Sequence, residues 1–112
     1  MLEMTIDRIR EVVEATYKEC FEDYVGLWEI PAQFEQLHGI GDERLRRVES
    51  FKVIERLLRL PAIGVGQFRP HEAVFDFWNL SPVEALDRIA SEWDELGHEP
   101  SLGEIAWFTS RD

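Results

Sequence analysis

The segment IGVGQFRPHEAVFDFW, residues 63–78, consists of two short apolar runs separated by the polar turn RPHE. Apolar runs of this length on either side of a short turn predict a β-hairpin, with strands near residues 62–68 and 73–78. Gly64 and Gly66 in the first strand predict a bulge or a close approach of another segment to the backbone. The fold prediction then depends on the elements that precede and follow this hairpin.

The first predicted helix runs from about Met4 to Glu22. Thr5 can cap its N-terminus, and Asp7 lies in the first turn, where the helix dipole favours a carboxylate. Residues that recur every three or four positions predict its buried side. These residues are Ile6, Ile9, Val13, Thr16, Tyr17 and Cys20.

A short extended stretch over residues 25–29 and a short helix over residues 31–38 are predicted next. Pro31 favours this division because proline fits at the first position of a helix but not in its interior. Phe34 and Leu37 are expected to face the core from this helix.

A long helix is predicted over residues 42–60, between the N-cap Asp42 and Pro61. Its apolar residues cover more than one side, which predicts a central and largely buried element. They are Leu45, Val48, Phe51, Ile54, Leu57 and Leu58.

The segment SPVEALDRIASEWDELG, residues 81–97, carries the most complete helix signals in the chain. Ser81 is expected to cap the helix, Pro82 to take its first position and Glu84 to complete a capping box. Gly97 is expected to end it in the left-handed conformation. A last strand is predicted in LGEIAWF, residues 102–108, with Leu102 and Ile105 among its apolar positions.

The chain length, the composition and the predicted helices and strands together predict one α+β domain over residues 1–112. The chain has 112 residues, of which 45% are hydrophobic, and this is enough for a single core. Cys20 is the only cysteine, so an intrachain disulfide is excluded. No secretory signal or membrane-spanning segment is visible in the sequence, which predicts a soluble, cytoplasmic protein.

From about Met4 to Trp78 the predicted order is helix, short strand, short helix, long helix and β-hairpin. In this order the chain resembles winged helix-turn-helix domains. The resemblance implies that helix 42–60 enters the DNA major groove and that the hairpin tip, residues 69–72, contacts phosphates. The helix at 81–97 and the last strand then resemble an addition to the minimal winged-helix fold.

The DNA-binding residues implied by this resemblance are Lys52, Arg56, Arg59 and Arg69. Glu49 and Glu55 share the helix face of the first three and are spaced to form the pairs Glu49–Lys52, Lys52–Glu55 and Glu55–Arg59. At the tip, Arg69 is followed by two acidic residues, whereas DNA binders bring several unpaired bases to the backbone. These patterns favour a solvated, self-neutralised face over nucleic-acid binding.

The formal net charge of −11 is concentrated at the two ends of the chain. Residues 1–41 and residues 82–112 each carry a net charge of −6, while residues 42–60 carry +2. A negative field repels phosphate backbones and accelerates encounter with basic partners. The charge pattern therefore favours a basic protein as the partner.

The helix at 81–97 offers the most concentrated candidate docking face. Arg88 can pair with Glu84 and Glu92, which leaves several carboxylates without a counter-ion on the same helix. Phe77 and Trp78 are neighbours in a strand, so one of them is expected to face outward as an aromatic anchor beside the acids. The predicted partner-binding residues are Asp87, Asp94, Glu95, Glu99 and Trp78.

Catalytic and metal-binding chemistry has no recognisable signature here. Cys20 lies in the predicted buried stripe, where a packed thiol is the default interpretation. His38, His71 and His98 are too far apart in sequence for a zinc motif. The sequence therefore predicts no enzyme activity, no metal site and no cofactor.

In its small size, its acidity and its lack of catalytic motifs the chain is similar to the immunity proteins and antitoxins of bacterial toxin systems. That similarity implies a non-catalytic module that covers a cationic surface on a basic protein. A winged-helix transcription regulator is the alternative. A third interpretation is a subunit that forms a homodimer through its aromatic C-terminal region.

Overall fold

The computed structural model describes residues 7–111, which form four helices and one four-stranded antiparallel sheet. The predicted α+β class is confirmed. The elements in chain order are α1 (Arg8–Cys20), β1 (Val25–Gly26), α2 (Glu29–His38), α3 (Glu43–Leu58), β2 (Ile63–Phe68), β3 (Phe75–Phe77), α4 (Pro82–Leu96) and β4 (Trp107–Ser110).

Helix α1 is capped by Asp7, whose side chain accepts a hydrogen bond from the Arg10 amide at 3.1 Å. The sequence predicted a start at Met4 and a cap at Thr5, two residues that lie outside the described range, as does Ile6. Tyr17 was wrongly included in the buried stripe, since its side chain is exposed and contacts the Phe21 ring edge to face, with the ring centroids 5.0 Å apart. The buried side instead runs through Ile9, Val12, Thr16 and Cys20.

Helix α2 begins at Glu29, two residues earlier than predicted, so the preceding strand shortens to Val25–Gly26. Proline is tolerated at Pro31 because a first-turn amide has no partner within the helix. Phe34 is buried as predicted, but Leu37 is 60% exposed, so its predicted inward orientation was wrong. His38, four residues after Phe34, takes the next position on the inner side of the helix.

Helix α3 is capped by Asp42 as predicted and packs against the other three helices and β2. Ile54 and Leu57 are buried as predicted, but the first half of the helix differs from the prediction. Leu45 and Val48 are exposed, while Arg46 and Glu49 are buried. The prediction was wrong at these positions because the polar side chains are paired with residues of distant elements, as described below.

The sheet has the strand order β1-β4-β2-β3. The predicted hairpin is confirmed as β2 and β3, with Gly66 opposite Phe77 and Phe68 opposite Phe75. A Cβ atom on Gly66 would lie 2.1 Å from the carbonyl oxygen of Asp76. The glycine in this strand thus permits the close backbone approach expected from the sequence.

The C-terminal strand β4 lies inside the sheet, between β1 and β2. Phe108 pairs with Val25 on one side and with Val65 on the other. A strand merely added to a complete domain would lie at an edge, so the prediction of an added C-terminal strand was wrong. The strand also begins later than predicted, and Leu102 is exposed in the loop before it.

Helix α4 has the ends that its sequence predicted. The hydroxyl of Ser81 accepts a hydrogen bond from the Glu84 amide at 3.2 Å, and the Glu84 carboxylate accepts one from the Ser81 amide at 2.9 Å. Pro82 is the first helical residue and Gly97 closes the helix with φ of 75°. None of the described helices has the length and apolar character needed to cross a bilayer.

The sheet has two different faces because side chains alternate along each strand. One face carries residues of the buried core that the helices cover: Val25, Ile63, Val65 and Phe108. The other face carries aromatic rings and glycines. None of these rings is fully buried.

Candidate functional site

The predicted acidic docking residues of α4 and its C-terminal loop do not form one uncompensated patch. Asp94 accepts a hydrogen bond from Arg47 at 2.7 Å. Glu99 accepts two from Arg46, at 2.9 and 3.2 Å. Asp87 and Glu95 remain exposed with no basic side chain within ion-pair distance in the part of the chain that the structure describes.

Trp78 does not lie on the surface, and its selection as an exposed anchor was wrong. Its side chain is 8% exposed and belongs to the core, with the Arg88 guanidinium 3.9 Å from the ring centroid. Arg88 also donates a hydrogen bond to Glu92 at 2.7 Å, as predicted, whereas Glu84 is engaged in the capping box. The exposed member of the neighbouring pair is Phe77, at 40%.

Of the four basic residues proposed for DNA contact, two form ion pairs within the described part of the chain and two do not. Arg69 at the hairpin tip donates two hydrogen bonds to Asp76, at 2.7 and 3.1 Å. Lys52 pairs with Glu49 at 3.3 Å, as predicted. Among the described residues, Arg56 and Arg59 have no ion pair, so the predicted pairing of Glu55 with Lys52 and Arg59 is absent.

Glu49 was predicted to lie on a solvated face, and this was wrong because Glu49 is buried. Arg8 of α1 donates a hydrogen bond to it at 2.8 Å through Nε, and Lys52 lies on its other oxygen. Burial acts to raise the pKa of Glu49, but the hydrogen bonds from Arg8 and the nearby charge of Lys52 outweigh it and lower the pKa. This ion cluster joins α1 to α3 and is structural.

The open face of the sheet carries six aromatic side chains, which we call the outer aromatic face. They are Tyr24, Trp28, Phe68, Phe75, Phe77 and Trp107. The rings form a continuous chain of contacts with centroid separations of 4.8–5.3 Å. Edge-to-face pairs predominate, as expected from the ring quadrupoles.

Glycines beneath the rings allow this layer to form. A Cβ atom on Gly26 would lie 1.6 Å from the Trp28 ring, and one on Gly64 would lie 2.5 Å from the Phe77 ring. Trp28 and Phe77 therefore lie across the backbone of β1 and β2, in positions that a side chain would occupy at other strand residues. Aromatic rings that cover strand glycines stabilise a sheet while keeping their outer surface accessible.

Four carboxylates border the outer aromatic face, and we call them the acidic rim: Glu19, Glu22, Asp23 and Glu29. Glu22 and Asp23 line a cleft of about 550 Å³ together with Tyr24 and Phe77. Glu19 and Glu29 line a second cleft, of about 440 Å³, with Trp28.

The acidic rim is electrostatically unfavourable in the isolated protein. Three of its members lie at or just beyond the C-terminal end of α1, where the helix dipole disfavours negative charge. Burial raises the pKa of Glu19, and so does its proximity to Glu29, to Asp23 and to Glu22. No basic side chain within residues 7–111 forms an ion pair with these four carboxylates.

Replacing Glu19 with glutamine is expected to stabilise the protein by a few tenths of a kcal/mol at pH 7. A carboxyl with a raised pKa in the folded state destabilises that state once pH exceeds the unfolded pKa of about 4.3. The gain should therefore vanish below that pH, where Glu19 is protonated in both states. Urea unfolding of both proteins at pH 7 and pH 3.5 measures it.

Glu95→Gln is the matched control for this prediction. Glu95 also lies in the last turn of its helix, so its replacement relieves the same repulsion from the helix dipole. It does not belong to the acidic rim. Equal stabilisation by Glu19→Gln and Glu95→Gln would show that the rim carboxylates do not repel one another.

The outer aromatic face was not identified from the sequence, although one of Phe77 and Trp78 was expected to face outward. The alternation FDF at residues 75–77 and the flanking glycines were visible, but they do not indicate which face of a strand is covered. That depends on the pairing of β2 with β4 and on the position of the helices. The signal that could have identified the face is the spacing of glycines opposite aromatic residues.

The groups with potential for chemistry are inaccessible or dispersed. Cys20 is buried. Its burial, and to a lesser extent the negative charges of Glu19 and Glu29, raise the pKa of its thiol to about 12. Such a thiol is a poor nucleophile. Within residues 7–111, His, Cys, Asp and Glu side chains do not come together in groups of three that could hold a metal ion.

Comparison with protein-family models, with curated proteins and with solved structures found no match.

Proposed function

We propose that this protein is a small, acidic, non-catalytic module that binds a basic protein. The observation that carries the proposal is that most arginines with ion pairs are neutralised within the chain, whereas several surface carboxylates have no basic partner among the described residues. Arg8, Arg46, Arg47, Arg69 and Arg88 are each held by carboxylates of the same chain.

Carboxylates without a basic partner remain on two surfaces of the described chain. These are the acidic rim, and Asp87 with Glu95 on α4. With a net charge of −11, the resulting field favours encounter with a cationic protein and disfavours nucleic acid. Immunity proteins and antitoxins that cover basic toxins are the class of protein that this surface fits best.

Affinity capture tests the proposal. The immobilised protein is incubated with a nuclease-treated lysate of the source organism at 50 mM salt, and retained proteins are eluted with 500 mM salt. We expect a basic protein in the eluate. With that protein purified, its association rate should fall about tenfold or more over the same salt range.

Random duplex DNA is the control ligand in the same binding assay. No binding is expected at 50 mM salt. Salt-dependent binding to duplex DNA, or the failure of any basic protein to bind, would contradict the proposal.

The alternative function is DNA binding by a winged-helix-like domain through α3. One observation favours it: Arg56 and Arg59 are exposed and free of ion pairs within residues 7–111. Arg69 at the hairpin tip counts against it, since its guanidinium is occupied by Asp76. If the duplex control binds, Arg56→Ala combined with Arg59→Ala should reduce both the affinity and its dependence on salt.

A further inference from the structure

We propose that the outer aromatic face, together with the acidic rim, is the surface that docks an arginine- or lysine-bearing segment of the basic partner. This inference rests on the proposed function and specifies its site. It moves the docking surface from α4, which the sequence favoured, to the uncovered face of the sheet.

The first argument is the exposure of the rings. Aromatic side chains are usually buried, yet all six members of the outer aromatic face keep solvent-accessible surface. An aromatic patch with a charged border is the usual composition of a protein-binding surface. Gly26 and Gly64 leave the space over the strands that the Trp28 and Phe77 rings occupy.

The second argument is the position of the unpaired charges. Each of the two clefts that border the face combines aromatic surface with two carboxylates: Tyr24 and Phe77 with Glu22 and Asp23, and Trp28 with Glu19 and Glu29. A guanidinium or ammonium group is attracted both to ring faces and to carboxylates. A cation in either cleft would also relieve the repulsion among the rim carboxylates.

Arg111 shows that one of these rings can hold a guanidinium group. Its Cζ atom lies 5.4 Å from the centroid of the Phe77 ring. Arg111 lines the same cleft as Glu22 and Asp23, so the carboxylates still outnumber the cation there. Near Trp28 the lining residues include no basic side chain.

Charge complementarity favours a basic protein segment on this face over a second copy of the chain or a nucleic acid. A second copy of the chain would bring a second acidic rim to the interface, and like charges across an interface disfavour association. Nucleic acid can stack its bases on an aromatic sheet face, but such faces lie in positively charged grooves. The acidic rim repels phosphates instead.

The test uses the full chain labelled with ¹⁵N and the synthetic peptide acetyl-Gly-Arg-Gly-Arg-Gly-amide as probe. The four tryptophans provide resolved indole N–H signals, of which Trp28 and Trp107 report on the outer aromatic face. Trp78 and Trp93 are buried and report on the opposite side of the sheet and α4. We expect the first two signals to shift on titration and the last two to stay unchanged.

The matched peptide carries citrulline in place of both arginines, which keeps the shape and removes the charge. It should bind at least about fivefold more weakly. Glu22→Gln combined with Asp23→Asn should weaken the arginine peptide about fivefold, while Asp87→Asn combined with Glu95→Gln should leave it unchanged. Equal binding of both peptides, or shifts confined to Trp78 and Trp93, would overturn the inference.

The two pairs of variants also separate this inference from the proposed function. If the captured basic protein binds the wild-type chain, weaker binding by the Glu22 and Asp23 variant supports the docking surface proposed here. If only the Asp87 and Glu95 variant is impaired, the site is wrong although the function stands. If no basic protein binds at all, the proposed function fails, whatever the peptide shows.

Discussion

Phe108→Ala is expected to lower the free energy of unfolding by about 3–5 kcal/mol. Phe108 is fully buried in β4, between Val25 of β1 and Val65 of β2. Its truncation removes apolar contact from the core and leaves a cavity in the middle of the sheet, where neighbouring strands cannot close it without losing their pairing. Urea unfolding at pH 7, followed by tryptophan fluorescence and by circular dichroism, measures the loss.

Phe77→Ala is the matched control, because it removes the same side chain from the outer aromatic face. Phe77 contacts Phe75 edge to face, so its loss is expected to cost about 1 kcal/mol. The comparison also tests the role of β4. If Phe108→Ala cost no more than Phe77→Ala, β4 would be a peripheral addition to a domain that is stable without it.

The start of α3 and both ends of α4 could be predicted from the sequence because they depend on local hydrogen bonds. Asp42 and the Ser81–Glu84 capping box act within four residues of the positions they stabilise. Gly97 likewise adopts its left-handed conformation at the end of α4. Such signals require no knowledge of the rest of the chain.

The buried sides of the helices could not be predicted as well, because they depend on distant partners. Glu49 is buried on α3 because Arg8, 41 residues away, neutralises it. Val48, its neighbour, is exposed although it is apolar. A hydrophobicity pattern assigns the opposite orientations to these two residues, since it contains no information on the pairing between α1 and α3.

The prediction of the docking residues on α4 was incomplete for the same physical reason, since their counter-ions come from distant parts of the chain. Counter-ions were sought three or four residues away on the same helix, and by that rule Asp94 was unpaired. The structure brings Arg47 of α3 to within 2.7 Å of it. Conversely, the acidic rim joins residues up to ten positions apart, and only the fold makes Glu19 of α1 and Glu29 of α2 neighbours.

Arg46→Met is expected to destabilise the protein by about 3 kcal/mol. Arg46 is buried and donates two hydrogen bonds to Glu99 and one, at 3.0 Å, to the carbonyl oxygen of Ile40. Methionine keeps the apolar stem of the side chain but leaves both acceptors without their donor. The contact joins α3 to the loop after α4, so its loss also loosens the attachment of α4.

A double-mutant cycle isolates the ion pair from the packing of the stem. Because Arg46→Met leaves the half-buried Glu99 carboxylate without its counter-ion, Arg46→Met combined with Glu99→Met should recover at least about 1 kcal/mol of the loss. Arg10→Ala is the surface control: its pair with Glu14 is exposed on both sides, so its removal should change the stability far less than Arg46→Met does. Strictly additive losses in the cycle would show that the Arg46–Glu99 ion pair does not stabilise the fold.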